Sequence, residues 1–113
     1  MRAIARAERD NTVAFPASLS SQMAEFALTP PLGPSYAVEA ERAMDWAVAS
    51  SGGAANVKAA VVFQQDDYGK DGLSGWKAAA KRQGVTVVTE QAVARGQKDF
   101  SAIVTALKDA GAT

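Results

Sequence analysis

The chain has 113 residues, 48% of them apolar, which is enough for one packed domain and too many for a disordered segment. Its 12 basic and 12 acidic residues cancel, so nucleic acid is not expected as a partner, because phosphate binding calls for a basic surplus. Cysteine and histidine are both absent, which excludes disulfides, thiolate or imidazole metal sites, cysteine nucleophiles and Ser-His-Asp catalysis.

Taken in chain order, Ala3 to Arg9 predicts the end of a helix, stopped by Asn11. No apolar stretch follows Met1-Arg2, so no signal peptide is expected in this chain, and no run approaches the ~20 apolar residues of a membrane span. Thr12 to Phe15 is a short β-prone run ended by Pro16. A small polar loop follows, ASLSSQ from Ala17 to Gln22, and Glu25 to Thr29 reads as a brief extended segment. The strongest punctuation is TPPLGPS, Thr29 to Ser35, which holds three of the four prolines and marks a crossing between two structural units.

Ser35 is placed to cap a helix over Tyr36 to Ser50, with Ala37, Ala40, Met44, Ala47 and Val48 on its inner face and Gly52-Gly53 ending it. Val57 to Phe63 predicts a strand. Its continuous apolar run points to burial on both faces, as in a parallel sheet covered by helices. The acidic turn QQDDYGKDG follows, then a helix over Gly72 to Gln83 with Leu73, Trp76 and Ala80 facing inward and Gly84 as a left-handed terminator. A second strand is expected at Val85 to Thr89 and a loop at Ala92 to Lys98, with Arg95-Gly96 a solvated turn. The last helix, capped by Asp99, carries a buried stripe of Phe100, Ile103, Val104 and Leu107.

These elements make three strands, with a fourth in prospect, and an α/β fold: a three-layer parallel sheet with helices on both faces. Burial of Val57 to Phe63 on both sides calls for neighbours beyond these strands, and a further strand is expected after Ala110-Gly111. The chain therefore reads as an incomplete lobe of something larger, whose exposed sheet edges favour a homo-oligomer or a swapped dimer.

The segments VVFQQDDYGKDGLSGWKAAAKRQGVTVV and ARGQKDFSAIVTALKDAGA resemble the type I periplasmic solute-binding proteins of branched-chain amino-acid ABC transporters, the leucine/isoleucine/valine-binding group. The order is a D-x-x-YG-type turn, a helix, a G-V-x-V-V strand and a G-x-x-DF-S-x-x-V-x-x-L-K helix, with spacing kept over about 55 residues. AIARAERDNTVAFPASLSS is similar more loosely to the end of that family's first lobe. The resemblance implies residues 1–28 at the end of one lobe, and residues 29–113 forming the crossing and the opening of the second. It implies a non-enzymatic periplasmic parent that captures an amino acid or amide-like solute and delivers it to a membrane permease, with no metal or cofactor. A ligand-sensing regulatory domain on the same scaffold is the alternative. A nucleotide-dependent enzyme is disfavoured, since no G-x-G-x-x-G follows the Val57 strand.

The candidate ligand contacts come from two places. Tyr68 lies just beyond a strand's carboxyl end, where open α/β sheets put their ligands, and the matching tyrosine of the resembled family contacts ligand. Its neighbour Asp67, with Asp66, is a candidate partner for a ligand ammonium, and Gly69 serves the backbone. Ala17, Ser18, Leu19 and Ser20 overlay the family's Ser-Ala-Thr loop, whose amides and hydroxyls hold a ligand carboxylate. Leu19 falls where threonine is usual, and Phe26 lacks the arginine that follows it in relatives. Trp46 and Trp76 are expected to be packing residues.

Overall fold

The computed structural model describes residues 2–113. Helix α1 spans Arg2–Arg9, and a short 3₁₀ turn covers Ser21–Glu25. Then come α2 (Tyr36–Ser50), a second 3₁₀ turn at Ala54–Asn56, β1 (Lys58–Gln64), α3 (Asp67–Gln83), β2 (Thr86–Val93) and α4 (Ser101–Asp109). The two strands pair in parallel, as a βαβ crossover requires.

Helix α2 forms where the apolar spacing places it. Ser35 Oγ accepts the Val38 N–H at 3.4 Å, and Ala37, Ala40, Met44, Ala47 and Val48 are all wholly or partly buried. It lies against α3, and the two helices approach so closely at Gly75 that a β-carbon there would strike the backbone of Ala37. The core sits between these helices and the sheet: Met44, Val57, Ala59, Ala79, Ala80 and Val85, with Val48, Trp76 and Val87 packed around them. Met44 is its one large fully buried side chain. Gly84 adopts φ +73° and ends α3, as the sequence predicts.

Side chains alternate across β1. Ala59 enters the core beneath α2 and α3, whereas Ala60 and Val62 face Leu107 of α4. Helices therefore cover both sides of a parallel sheet, the α/β three-layer arrangement expected. One irregularity interrupts the pairing. Ala59 stands opposite Val87 and Ala60 opposite Thr89, so Val88 is an extra residue, a β-bulge. Beyond it Glu90 lies opposite Val61, and its carboxylate meets Lys77 Nζ of α3 at 2.8 Å.

Several boundaries differ from expectation. Among the described residues there are two strands, not three or four. Thr12 to Phe15 and the Glu25 to Thr29 run do meet, but through one backbone bond, Ala14 N–H to Leu28 C=O at 2.9 Å. Pro16 and the 3₁₀ turn stop a ladder from growing. β2 continues to Val93, into the expected loop. Asp99 accepts the Ser101 N–H at 2.9 Å, while the capping position itself is Phe100. That bond holds the Asp99 carboxyl below its ordinary range. Of the predicted stripe on α4 only Ile103 is buried, and Phe100 and Val104 are exposed. Trp46 is no packing residue: it is 72% exposed on the outer side of α2. Val62 is likewise exposed, so β1 is not sealed along its whole length.

The molecule is flat and elongated, 52 × 32 × 17 Å, with a radius of gyration of 16.8 Å. A compact chain of this length has about 13 Å. Its accessible surface, 7235 Å², also exceeds the roughly 5,900 Å² expected for a compact monomer of this mass.

Candidate functional site

The largest departure from the sequence reading lies at the acidic turn. Helix α3 begins at Asp67, five residues before the expected start, and Asp66 is its cap. The Asp66 carboxylate accepts the Gly69 N–H at 2.9 Å and the side-chain amide of Gln64. These donors, the Gly69 amide first, then the Gln64 amide and the nearby Arg95 charge, hold the Asp66 carboxyl below its ordinary range. Arg95 itself is exposed, as the solvated-turn expectation has it. Glycines at 69 and 72 hid the early start, because glycine weakens a helix. Gly69 is needed for another reason: a β-carbon there would collide with the Gln64 backbone.

Tyr68 consequently stands on the first turn of α3 rather than on a loop. It is 60% exposed, and its ring meets that of Tyr36 edge to face, with centroids 4.8 Å apart. The two tyrosines stand at an open cleft of about 380 Å³ floored by Val61–Gln64 of β1, with Ala40 of α2 and Leu73 and Trp76 of α3 along its sides. Trp76 Nε1 is buried there without a hydrogen-bond partner. Asp67 is exposed and does not line this cleft.

The serine loop arrives at the same end of α3 from the other side of the proline-rich crossing. The Leu19 carbonyl accepts the Tyr36 N–H at 3.0 Å, which ties the loop to the first residue of α2. Ser18 is exposed, and its hydroxyl accepts the Ser20 N–H at 3.4 Å, a turn bond of the kind serine makes in loops. Ser20 is buried at the start of the 3₁₀ turn. Ser21, the next residue, gives its N–H to Asp71 Oδ2 at 2.8 Å and its hydroxyl to Asp71 Oδ1. The loop thus joins α2 through Leu19 and α3 through Ser21, while Tyr36 and Tyr68 touch between the two helices.

Of the sequence candidates only Tyr68 lines the cleft; Leu19 reaches its border through the bond to Tyr36, and Ser18 and Ser20 flank Leu19 outside the lining. Asp67 stays at the cleft's margin. Tyr36, which lines the cleft, and Asp71, which holds the loop, were not singled out from sequence. Asp71 sits within QQDDYGKDG, yet no local spacing distinguishes it from its acidic neighbours. Its partner lies 50 residues away.

The comparisons with known proteins agree with this architecture. The family model described as periplasmic binding protein matches residues 1–113. A Leu/Ile/Val-binding protein homolog of Brucella melitensis is 47% identical over 55 residues, 49% of this chain and 15% of that protein. A branched-chain amino acid ABC transporter protein of Thermus thermophilus, solved with bound valine, superposes with a TM-score of 0.85 at 18% identity. That match covers 98% of this chain and 29% of the other. A fatty acid ABC transporter substrate-binding protein of Thermomonospora curvata gives 0.82 at 23% identity, over 96% of this chain and 28% of its own. A solute-binding protein of Rhodopseudomonas palustris in complex with p-hydroxybenzoic acid gives 0.79 at 20% identity, over 96% and 29%. The chain thus spans less than a third of the length of these relatives. With the whole chain matched and the fold shared, this protein belongs to the periplasmic binding protein family.

Proposed function

We propose that the full-length protein captures a small carboxylate-bearing solute, an amino acid or an aromatic acid, and hands it to a membrane permease of an ABC transporter from the periplasm, without chemical turnover. Residues 1–28 close the first lobe. Residues 29–113 form the crossing and open the second, so the serine loop and Tyr68 are the two sides of one ligand cleft. The observation that carries this reading is the meeting of the two: Leu19 is bonded to Tyr36, and Tyr36 lies against Tyr68. Backbone amides and hydroxyls of the Ser18–Ser20 loop suit a carboxylate, and the aromatic face of Tyr68 suits an apolar side chain. Solved proteins of this fold carry valine in one case and p-hydroxybenzoic acid in another, which supports the same class of ligand. Asp67 lies at the margin of this cleft, outside its lining, and is the candidate partner for an ammonium that projects out of it.

Calorimetric titration of the full-length protein with L-valine, L-leucine, benzoate and p-hydroxybenzoate tests the reading. Micromolar or tighter binding of at least one, weakened about tenfold or more in Tyr68→Ala, is the expected result. Binding of none of them, or binding indifferent to Tyr68, counts against it. The two unpaired edges of the β1–β2 sheet also support self-association of the 113-residue chain on its own. A monomeric mass at high concentration contradicts that part.

A further inference from the structure

Both oxygens of the Asp71 carboxylate are committed to a single distant residue. Oδ2 takes the Ser21 N–H and Oδ1 the Ser21 hydroxyl. The acid is only 9% exposed, so its charge is compensated by these two donors rather than by bulk water. Hydrogen bonds to a carboxylate are among the stronger ones, and two in parallel fix direction as well as distance. Ser21 directly follows the serine loop and precedes the proline-rich crossing, whereas Asp71 follows the crossing. Asp71 also lies one helical turn beyond Tyr68, and residues three apart share a face of a helix. One stretch of α3 therefore presents the tyrosine and, beside it, an anchor for the loop that approaches it.

We infer that Asp71 is a positioning residue: it docks the Ser18–Ser20 loop beside Tyr68, and release of Ser21 from its carboxylate accompanies parting of the two sides of the cleft. The inference rests on the solute-binding reading. When loop and helix separate, the carboxylate exchanges two fixed donors for water, so the contact has two satisfied arrangements, docked and hydrated. Asp71 touches no solute; it acts through the loop. Its removal therefore shortens the life of the docked arrangement and leaves encounter with solute unaffected.

The test uses the full-length protein with Asp71→Asn, Ser21→Ala, their combination, and Ser21→Thr, which keeps the hydroxyl. Amide hydrogen exchange of the segment 18–23 is read alongside stopped-flow binding of L-valine and benzoate. Exchange in Asp71→Asn is expected to rise about tenfold, with a dissociation rate raised about three- to thirtyfold and an unchanged association rate. The double variant is expected to match Asp71→Asn rather than to sum the singles, and Ser21→Thr to behave as the unsubstituted protein. Unchanged exchange in both Asp71→Asn and Ser21→Ala overturns the inference, as does additivity of the two. Should Asp71→Asn fail to fold, Ser21→Ala against Ser21→Thr decides by the same exchange measurement. Absence of binding by the unsubstituted protein sinks the solute-binding reading and not this contact, which the exchange data judge separately.

Discussion

The βαβ unit with α2 and the segment before it, residues 12–35, are held by different kinds of contact. In the first, α2 and α3 close over Met44, Ala79 and Ala80, and Gly75 lets the helices meet backbone to backbone. In the second, Val13, Phe15 and Leu32 are exposed, and the chain is tied down at separate polar points. Glu8 Oε1 accepts the Ala27 N–H at 2.5 Å, Leu28 accepts the Ala14 N–H, Leu19 accepts the Tyr36 N–H, and Ser21 reaches Asp71. Close packing resists small changes everywhere at once, whereas point tethers can be released one at a time. The region that carries the serine loop is the one held by separable tethers rather than by close packing.

The sharpest way to break this contrast is Met44→Ala. It empties the one large fully buried position, and a loss of about 2–5 kcal/mol in urea-measured stability is expected. Gly75→Ala comes next, because its β-carbon strikes the Ala37 backbone and forces α2 away from α3, with an expected loss of about 1–3 kcal/mol and a lowered Tm. Asp66→Asn is smaller and depends on pH. The Gly69 amide, the Gln64 amide and Arg95 lower the Asp66 pKa from its ordinary 3.8, so the carboxylate contributes stability above that value and loses it as pH falls through the lower folded one. Urea midpoints of the two proteins should differ at pH 7, and the gap should begin to close below about pH 4, the unsubstituted protein losing more on acidification. A gap of equal size at both pH values contradicts that cause. Glu8→Gln keeps an acceptor for the Ala27 amide and should stay within about 0.5 kcal/mol. A Met44→Ala effect no larger than this one would erase the distinction between the two regions.

The same contrast explains what could be read from the sequence. Helix α2, its cap Ser35 and its inner face were legible because periodicity is a local property that packing then uses. The β1 run was legible through its continuous apolar residues, and Gly84 through its position after Gln83. The start of α3 was obscured by Gly69 and Gly72, whose low helix propensity was outweighed by the Asp66 cap and by packing on Gln64. Trp46 is exposed because position 46 falls outside the inner face of α2 set by Met44, Ala47 and Val48, and a large aromatic side chain does not override that spacing. At the site, Tyr68 and the serine loop could be named from resemblance, but not their junction. Tyr36 and Asp71 owe their roles to partners brought together by the fold. No window of neighbouring residues contains that information.

The bulge at Val88 has a consequence for chain length. Ala59 pairs with Val87 and Ala60 with Thr89, so the ladder already skips one residue, and Glu90 reaches Lys77 on the far side of the skip. Excising Val88 would leave an uninterrupted alternation with every downstream side chain still on its present face. Loss of a residue elsewhere in β2 can be absorbed only by flipping the residues between that point and Val88 to the other face. Val88 is therefore the position in β2 whose loss disturbs the fewest side-chain placements.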